Sequence, residues 1–260
     1  METIFRDHLL RDRVAVVTGG GSGIGRRMAE RFAEHGAKVV LIGRKQDKLD
    51  AAAAAIAAAG GIAATEAVDV REYDALETAL QRAHQRFGLI DILVCGAAGN
   101  FPAPAMGMSA HGFKAVVDID LLGTFNACRA AYAYFRKPGA SILSISAGQA
   151  TTPIAYQSHV CAAKAGVELL TRTLALEWGP EGIRANCITP GATADTEGMR
   201  RLAPTDEARR AIERRIPLRR FGTKDEFADL ALFLCSDAAR YITGAVYCCD
   251  GGASLSSMEL

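Results

Sequence analysis

Short runs of apolar, mostly β-branched residues recur along the chain, each followed by a longer stretch whose apolar positions repeat at helical spacing. The strand-like runs are Val14–Val17, Lys38–Ile42, Ala64–Val68, Ile90–Cys95, Ser141–Ile145, Arg184–Ile188 and Ala245–Cys249. The helix-like stretches are Ile24–His35, Lys45–Ala59, Glu72–Phe87, Ser109–Arg136 (with one break), Tyr156–Trp178 and Lys224–Cys235. Ala51–Ala59 is nearly pure alanine, the best helix former, and Gly60-Gly61 stops it. Thr223 is suited to cap the helix that starts at Lys224. Strands that alternate with helices and are apolar throughout predict a parallel sheet covered on both faces. Right-handed crossovers then give an α/β doubly wound sheet of the Rossmann type, with about seven strands. No linker or repeat divides the chain, so residues 1–260 are read as one domain. The alternation is interrupted at about residues 191–220, where a loop leads into a charged helix, Thr205–Arg215. An insertion there is expected to cover the ligand site as a lid.

Composition narrows the function. The 260 residues carry a formal net charge of +1, so no global field draws the chain to nucleic acid or membrane. No run is long and apolar enough to span a bilayer. The N-terminus lacks an apolar signal core, and the last residues do not form a peroxisomal tripeptide; the cytoplasm is the expected compartment. The seven cysteines are odd in number, sit mostly in apolar runs and include no C-x-x-C pair. Reduced, buried thiols are expected, with no metal site.

The first strand runs into Thr18-Gly19-Gly20-Gly21-Ser22-Gly23-Ile24-Gly25, and a helix follows. A glycine-rich turn lets backbone N–H groups approach a pyrophosphate, and the helix N-terminus adds partial positive charge. Gly19, Ser22, Gly23, Ile24 and Gly25 are therefore the candidate phosphate site. The second strand ends Gly43-Arg44-Lys45, with cations where an acidic residue would hold the ribose 2′-hydroxyl of NAD. Arg44 is the candidate ligand of a 2′-phosphate, so NADPH is the expected cofactor. Asp69, after the third strand, stands where it would meet the adenine edge.

The ordered set of this loop, Asp69-Val70, Ala97-Ala98-Gly99, Lys164 on a long helix, Pro190-Gly191, and Tyr241-Ile242-Thr243-Gly244 through Asp250-Gly251-Gly252 resembles the short-chain dehydrogenase/reductase family. The resemblance covers about residues 10 to 254. It implies cofactor contacts from Val70, Ala97, Gly99, Lys164, Pro190 and Gly191, and a homotetramer. Members of the family usually carry Ser, Tyr and Lys, with Tyr-x-x-x-Lys on one helix. Here Val160 stands four residues before Lys164, Ala147 stands in the place of the Ser, and Asp120 replaces the usual Asn. Ser146 is a neighbour of Ala147, but on a strand it faces the other way. These departures, with Gly99-Asn100-Phe101, Asp118-Ile119-Asp120 and Thr196–Leu202, are similar to the 2,4-dienoyl-CoA reductases of peroxisomal type. That similarity implies Asp120 and Lys164 as the active pair, a water as proton source, and an acyl-CoA as substrate.

Further candidates come from position. Asn100 and Phe101 follow the fourth strand at its ligand-facing end. Tyr156 lies two helical turns before Lys164, and His159 could relay a proton. Arg200, Arg201, Arg209, Arg210, Arg214, Arg215, Arg219 and Arg220 form a basic cluster. It fits the phosphates of coenzyme A, with Arg200 and Arg219 as candidates, and fits equally a solvated helix face. Two alternatives stay open: a carbonyl reductase with an atypical proton donor, and a silent NADP-binding regulatory protein.

Overall fold

The computed structural model describes residues 4–196, 199 and 203–255. Seven parallel strands form one sheet: β1 (Val14–Thr18), β2 (Lys38–Gly43), β3 (Ile62–Ala67), β4 (Ile92–Cys95), β5 (Ser141–Ile145), β6 (Arg184–Pro190) and β7 (Val246–Cys249). Their order is β3-β2-β1-β4-β5-β6-β7, and every neighbouring pair is parallel. This is the doubly wound Rossmann-type arrangement that the alternating pattern predicts. The central strands are apolar on both faces because helices cover both. One core cluster joins Val17, Val39 and Leu41 to Phe32, Leu49 and Phe227; the other joins Val16, Val40 and Leu93 to Leu76, Leu80 and Cys128.

The helices are α1 (Gly23–Glu34), α2 (Gln46–Ala58), α3 (Tyr73–Phe87), α4 (Ala110–Val117), α5 (Gly123–Ala131), α6 (Ser158–Trp178), α7 (Asp206–Arg215) and α8 (Lys224–Cys235). The break expected within Ser109–Arg136 is a π turn, Asp118–Leu122, which joins α4 to α5 without leaving helical geometry. Thr223 caps α8 through a full capping box with Glu226. Two boundaries differ in a way that matters. The third strand begins at Ile62 rather than Ala64. The α6 helix begins at Ser158, because Tyr156 has φ +66° and cannot continue a right-handed helix.

The chain runs out from β1 to β2 and β3, then returns across β1 to form β4. The carboxyl ends of β1 and β4 therefore border the point where the winding reverses, which is where open α/β sheets bind ligands. Thr18 ties the two ends together: its hydroxyl accepts from Gly96 N at 3.1 Å.

Candidate active site

The glycine-rich turn rests on close backbone approach. A Cβ at Gly19, where φ is +70°, would lie 2.6 Å from Gly96 O, so no larger residue fits. Gly23 is the opposite case: φ is +59°, and nothing lies within 4 Å of where its Cβ would point. That space is open for a ligand at the N-terminus of α1. Ser22, the N-cap, makes no capping bond with its side chain, and the first turn of α1 holds no acidic residue. Free N–H groups, a free hydroxyl and the helix dipole together suit an anionic phosphate. These features fit a dinucleotide pyrophosphate.

Arg44 is exposed beyond β2, and no side chain of the described residues pairs with it. Lys48, on the first turn of α2, was not singled out from sequence. It lines a cavity of about 550 Å³ together with Gly21, Ser22, Gly23 and Arg26. Its signal was its place one turn after Arg44. Asp69 is engaged more locally than expected. Arg71 donates to it from Nη2 at 2.7 Å and Nε at 3.0 Å, which holds its carboxyl below the usual carboxylate range. Val70 is buried and approaches α5: a Cβ on Gly123 would lie 2.5 Å from its Cγ2. Asn126 Nδ2 donates to Val70 O at 2.9 Å. Ala97 N lies 3.4 Å from the Thr18 hydroxyl, and Gly191 N donates to Cys249 O at 2.9 Å beside Pro190, the last residue of β6.

The second half of the site is an ion pair. Lys164 Nζ lies 3.1 Å from Asp120 Oδ2 and donates to Ile145 O at 2.9 Å. Asp120 Oδ1 accepts from Gly99 N at 2.7 Å. The relative exposures of Lys164 and Asp120 are 6% and 1%. The π turn places Asp120 here; such turns are frequent at functional sites because they re-aim one side chain within a helix. Val160 is buried one turn before Lys164, so the helix offers no hydroxyl there. Ser146 lies just past β5 and donates to Glu168 Oε1 on α6 at 2.7 Å. Glu168, a buried carboxylate one turn beyond Lys164 that also accepts from Thr189 at 3.3 Å, is a further polar residue the sequence reading missed.

The remaining candidates divide. Asn100 and Phe101 stand on the loop after β4, between anchors at Gly99 N (to Asp120) and Ala103 N (to Tyr156 O, 2.9 Å). His159 is buried with its ring 4.6 Å from that of Phe101. Tyr156 is exposed before α6 begins. Arg200 and Arg201 lie outside the described residues. Arg219, with φ +56°, donates to Arg214 O within the lid. Arg209 stacks over Phe221 and pairs with Glu213, while Arg220 pairs with Glu226 at 2.6 Å. Arg210, Arg214 and Arg215 are exposed on α7 with no ion-pair partner among the described residues. The described cysteines are unpaired, and no group of metal-ligating side chains occurs among the described residues. No described helix is long and apolar enough to cross a membrane.

Comparison with known proteins agrees with this geometry. The family model described as enoyl-(acyl carrier protein) reductase matches residues 19–254. The peroxisomal 2,4-dienoyl-CoA reductase [(3E)-enoyl-CoA-producing] of Mus musculus is 44% identical over 252 residues, covering 96% of this chain and 86% of that protein. The protein named "Probable 2,4-dienoyl-CoA reductase [(2E)-enoyl-CoA-producing]" of Bacillus subtilis (strain 168) is 40% identical, covering 95% and 98%. Among solved structures, a gluconate 5-dehydrogenase from Burkholderia cenocepacia J2315 in complex with NADP and tartrate superposes with a TM-score of 0.90 at 30% identity, covering 96% and 98%. The glycine-rich turn at the switch point, the buried lysine on α6 and these similarities along nearly the whole chain make this protein an oxidoreductase of the short-chain dehydrogenase/reductase family, which works with a nicotinamide cofactor.

Proposed function

We propose that the protein reduces an unsaturated acyl-CoA, a 2,4-dienoyl-CoA, at the expense of NADPH. The observation that carries this reading is the buried Lys164–Asp120 pair with Val160 where the family has its tyrosine. Ketone reduction leaves an alkoxide that needs a proton at once, and this helix has no hydroxyl at the position of Val160 to give one. A conjugated dienoyl thioester is different. Its anion spreads onto the thioester oxygen and is protonated at carbon afterwards, from water. Fixed positive charge beside the reacting chain stabilises that anion as it forms.

Bound cofactor would supply the hydride; the chain's own residues do the rest. Gly19–Gly25 and Ser22 hold the pyrophosphate, and Arg44, with no ion-pair partner among the described residues, suits a 2′-phosphate. Lys164, fixed by Asp120 and Ile145 O, orients the nicotinamide ribose and contributes its charge. Asp120 holds the lysine ammonium in place and, through Gly99 N, sets the loop that carries Asn100 and Phe101. On the lid, Arg210, Arg214 and Arg215 are free to meet coenzyme A phosphates, whereas Arg219 is occupied by Arg214 O. Similar proteins are 2,4-dienoyl-CoA reductases by name, which supports the substrate class. We also propose a homotetramer. Leu169 and Leu176 on α6 and Phe125 on α5 are exposed, with Leu176 at 80%. Such apolar surface on adjoining helices favours association.

NADPH oxidation against 2,4-dienoyl-CoA, 2-enoyl-CoA and simple ketones tests the reading. Turnover of the dienoyl thioester with little on ketones is expected. Tight NADPH binding with no turnover of any of them would favour a regulatory role instead.

A further inference from the structure

His159 is fully buried, at 0% relative exposure, yet neither of its ring nitrogens has a hydrogen-bond partner among the described residues. A buried imidazole must hide one donor and one acceptor, and native interiors satisfy the great majority of such groups. Other buried polar side chains of α5 and the start of α6 follow that rule: Thr124 donates to Asp120 O, Asn126 to Val70 O, and Gln157 accepts from Gln149. Four buried side-chain atoms of the described residues lack a hydrogen-bond partner. Three of them, both His159 nitrogens and Asp120 Oδ2, lie on the seam between α4 with its π turn and α6. Asp120 Oδ2 still has the lysine ammonium 3.1 Å away as an ion-pair partner. His159 has nothing of the kind.

Its surroundings say where a partner enters. Along the seam, Phe113 faces His159 at one end, Asp120 faces Lys164 at the other, and Val116, Val160 and Ala163 fill the space between. The ring of Phe101 lies over His159, its centroid 4.6 Å away and its plane tilted by 58°. Phe101 itself is 39% exposed, on the loop that leaves β4 at the ligand-binding edge of the sheet. Between the anchors at Gly99 and Ala103, residues 100–102 make no backbone hydrogen bond. Displacing the half-exposed Phe101 ring would open the imidazole toward that edge.

Resting on the reading of the site as an acyl-thioester reductase, we propose that His159 is the hydrogen-bond donor to the thioester carbonyl oxygen, shielded by Phe101 until the acyl chain displaces that ring. A neutral imidazole carries one N–H, enough to hold an oxygen that gains negative charge when hydride adds to the conjugated chain. No proton leaves the histidine; water protonates carbon later. His159 would then do by hydrogen bonding what a hydroxyl at the position of Val160 would do by proton transfer.

The test separates this role from a packing role. His159→Phe removes both nitrogens and keeps a flat ring, so it relieves the unsatisfied polar atoms. We expect its Tm to rise by roughly 2–4 °C, its kcat on a dienoyl-CoA to fall at least tenfold, and its NADPH affinity to stay unchanged. His159→Gln, which restores an N–H, should recover part of the kcat. Unchanged kcat in the phenylalanine variant would overturn the proposal, as would a parallel loss of NADPH affinity. A second readout needs neither turnover nor a folded variant. The chain has five histidines, so in 15N-histidine spectra of the wild-type protein with NADP+, adding a saturated acyl-CoA should shift one ring, whereas coenzyme A alone should not. No shift, or an equal shift with coenzyme A, overturns the proposal. Absence of dienoyl-CoA turnover by the wild type would instead overturn the functional reading, and the spectra would still decide whether a thioester meets His159.

Discussion

Asp120 and Lys164 neutralise each other inside the protein, and each is also tied to backbone: the lysine to Ile145 O at 2.9 Å, the aspartate to Gly99 N at 2.7 Å. The pair thus joins β5, α6, the π turn and the loop after β4. Breaking a buried pair from one side leaves an uncompensated charge, at a cost of roughly 3–5 kcal/mol. Lys164→Ala is expected to abolish dienoyl-CoA turnover and to lower stability by that order. Asp120→Ala should impair turnover strongly. Steady-state kinetics beside denaturant unfolding checks both; near-full activity in Lys164→Ala would sink the mechanism.

The proposed preference for NADPH rests on Arg44. A hydrogen bond to a charged phosphate contributes roughly 1.5–3 kcal/mol, and ~1.4 kcal/mol is tenfold in affinity. Arg44→Ala should weaken NADPH about 10- to 100-fold while leaving NADH nearly unaffected. Equal losses for the two cofactors, measured by fluorescence titration, would remove Arg44 from the phosphate site.

The proposed tetramer follows from the exposed leucines of α6. Sedimentation at micromolar protein should give about four times the 27.5 kDa of one chain. Leu176→Glu, placing a charge where an apolar contact is expected, should shift that mass downward. A wild-type mass of one chain would refute the tetramer.

The lid is fastened to α8 through Glu226, whose carboxyl is held down to about 2 by the Arg220 guanidinium and the Thr223 backbone N–H. Its ordinary value is 4.5. A carboxyl depressed on folding contributes stability that is complete above the ordinary value and is lost as pH falls through the folded one. Glu226→Gln removes an exposed ion pair while its amide oxygen can still accept from Thr223 N, a change of up to about 1 kcal/mol at neutral pH. The stability gap between wild type and variant should therefore be constant above about pH 5 and close between pH 4.5 and 2. A gap that persists unchanged to pH 2 would show that the charge of Glu226 contributes nothing.

The amino-acid sequence determined what local rules control. Apolar runs with a period of two or 3.6 residues specify strands and helices, and their strict alternation specifies a parallel, doubly wound sheet. A glycine-rich turn between the first strand and helix specifies a tight turn suited to a phosphate, because only glycine tolerates such close backbone approach. The missing tyrosine was legible too, since Val160 and Lys164 share one helix and their spacing is fixed. What only the tertiary structure decided are the pairings between residues far apart in the chain. A π turn, invisible in the hydrophobic pattern, aims Asp120 at Lys164. Arg71 captures Asp69, and Arg219 turns back to the lid's own backbone, because a neighbouring partner is reached at less entropic cost than a distant ligand. Tyr156 leaves the helix through a positive φ that no periodicity announces. Whether a buried polar group finds a partner depends on every element packed around it, so the sequence could name His159 but only the packed seam of α4 and α6 shows its nitrogens left unpaired.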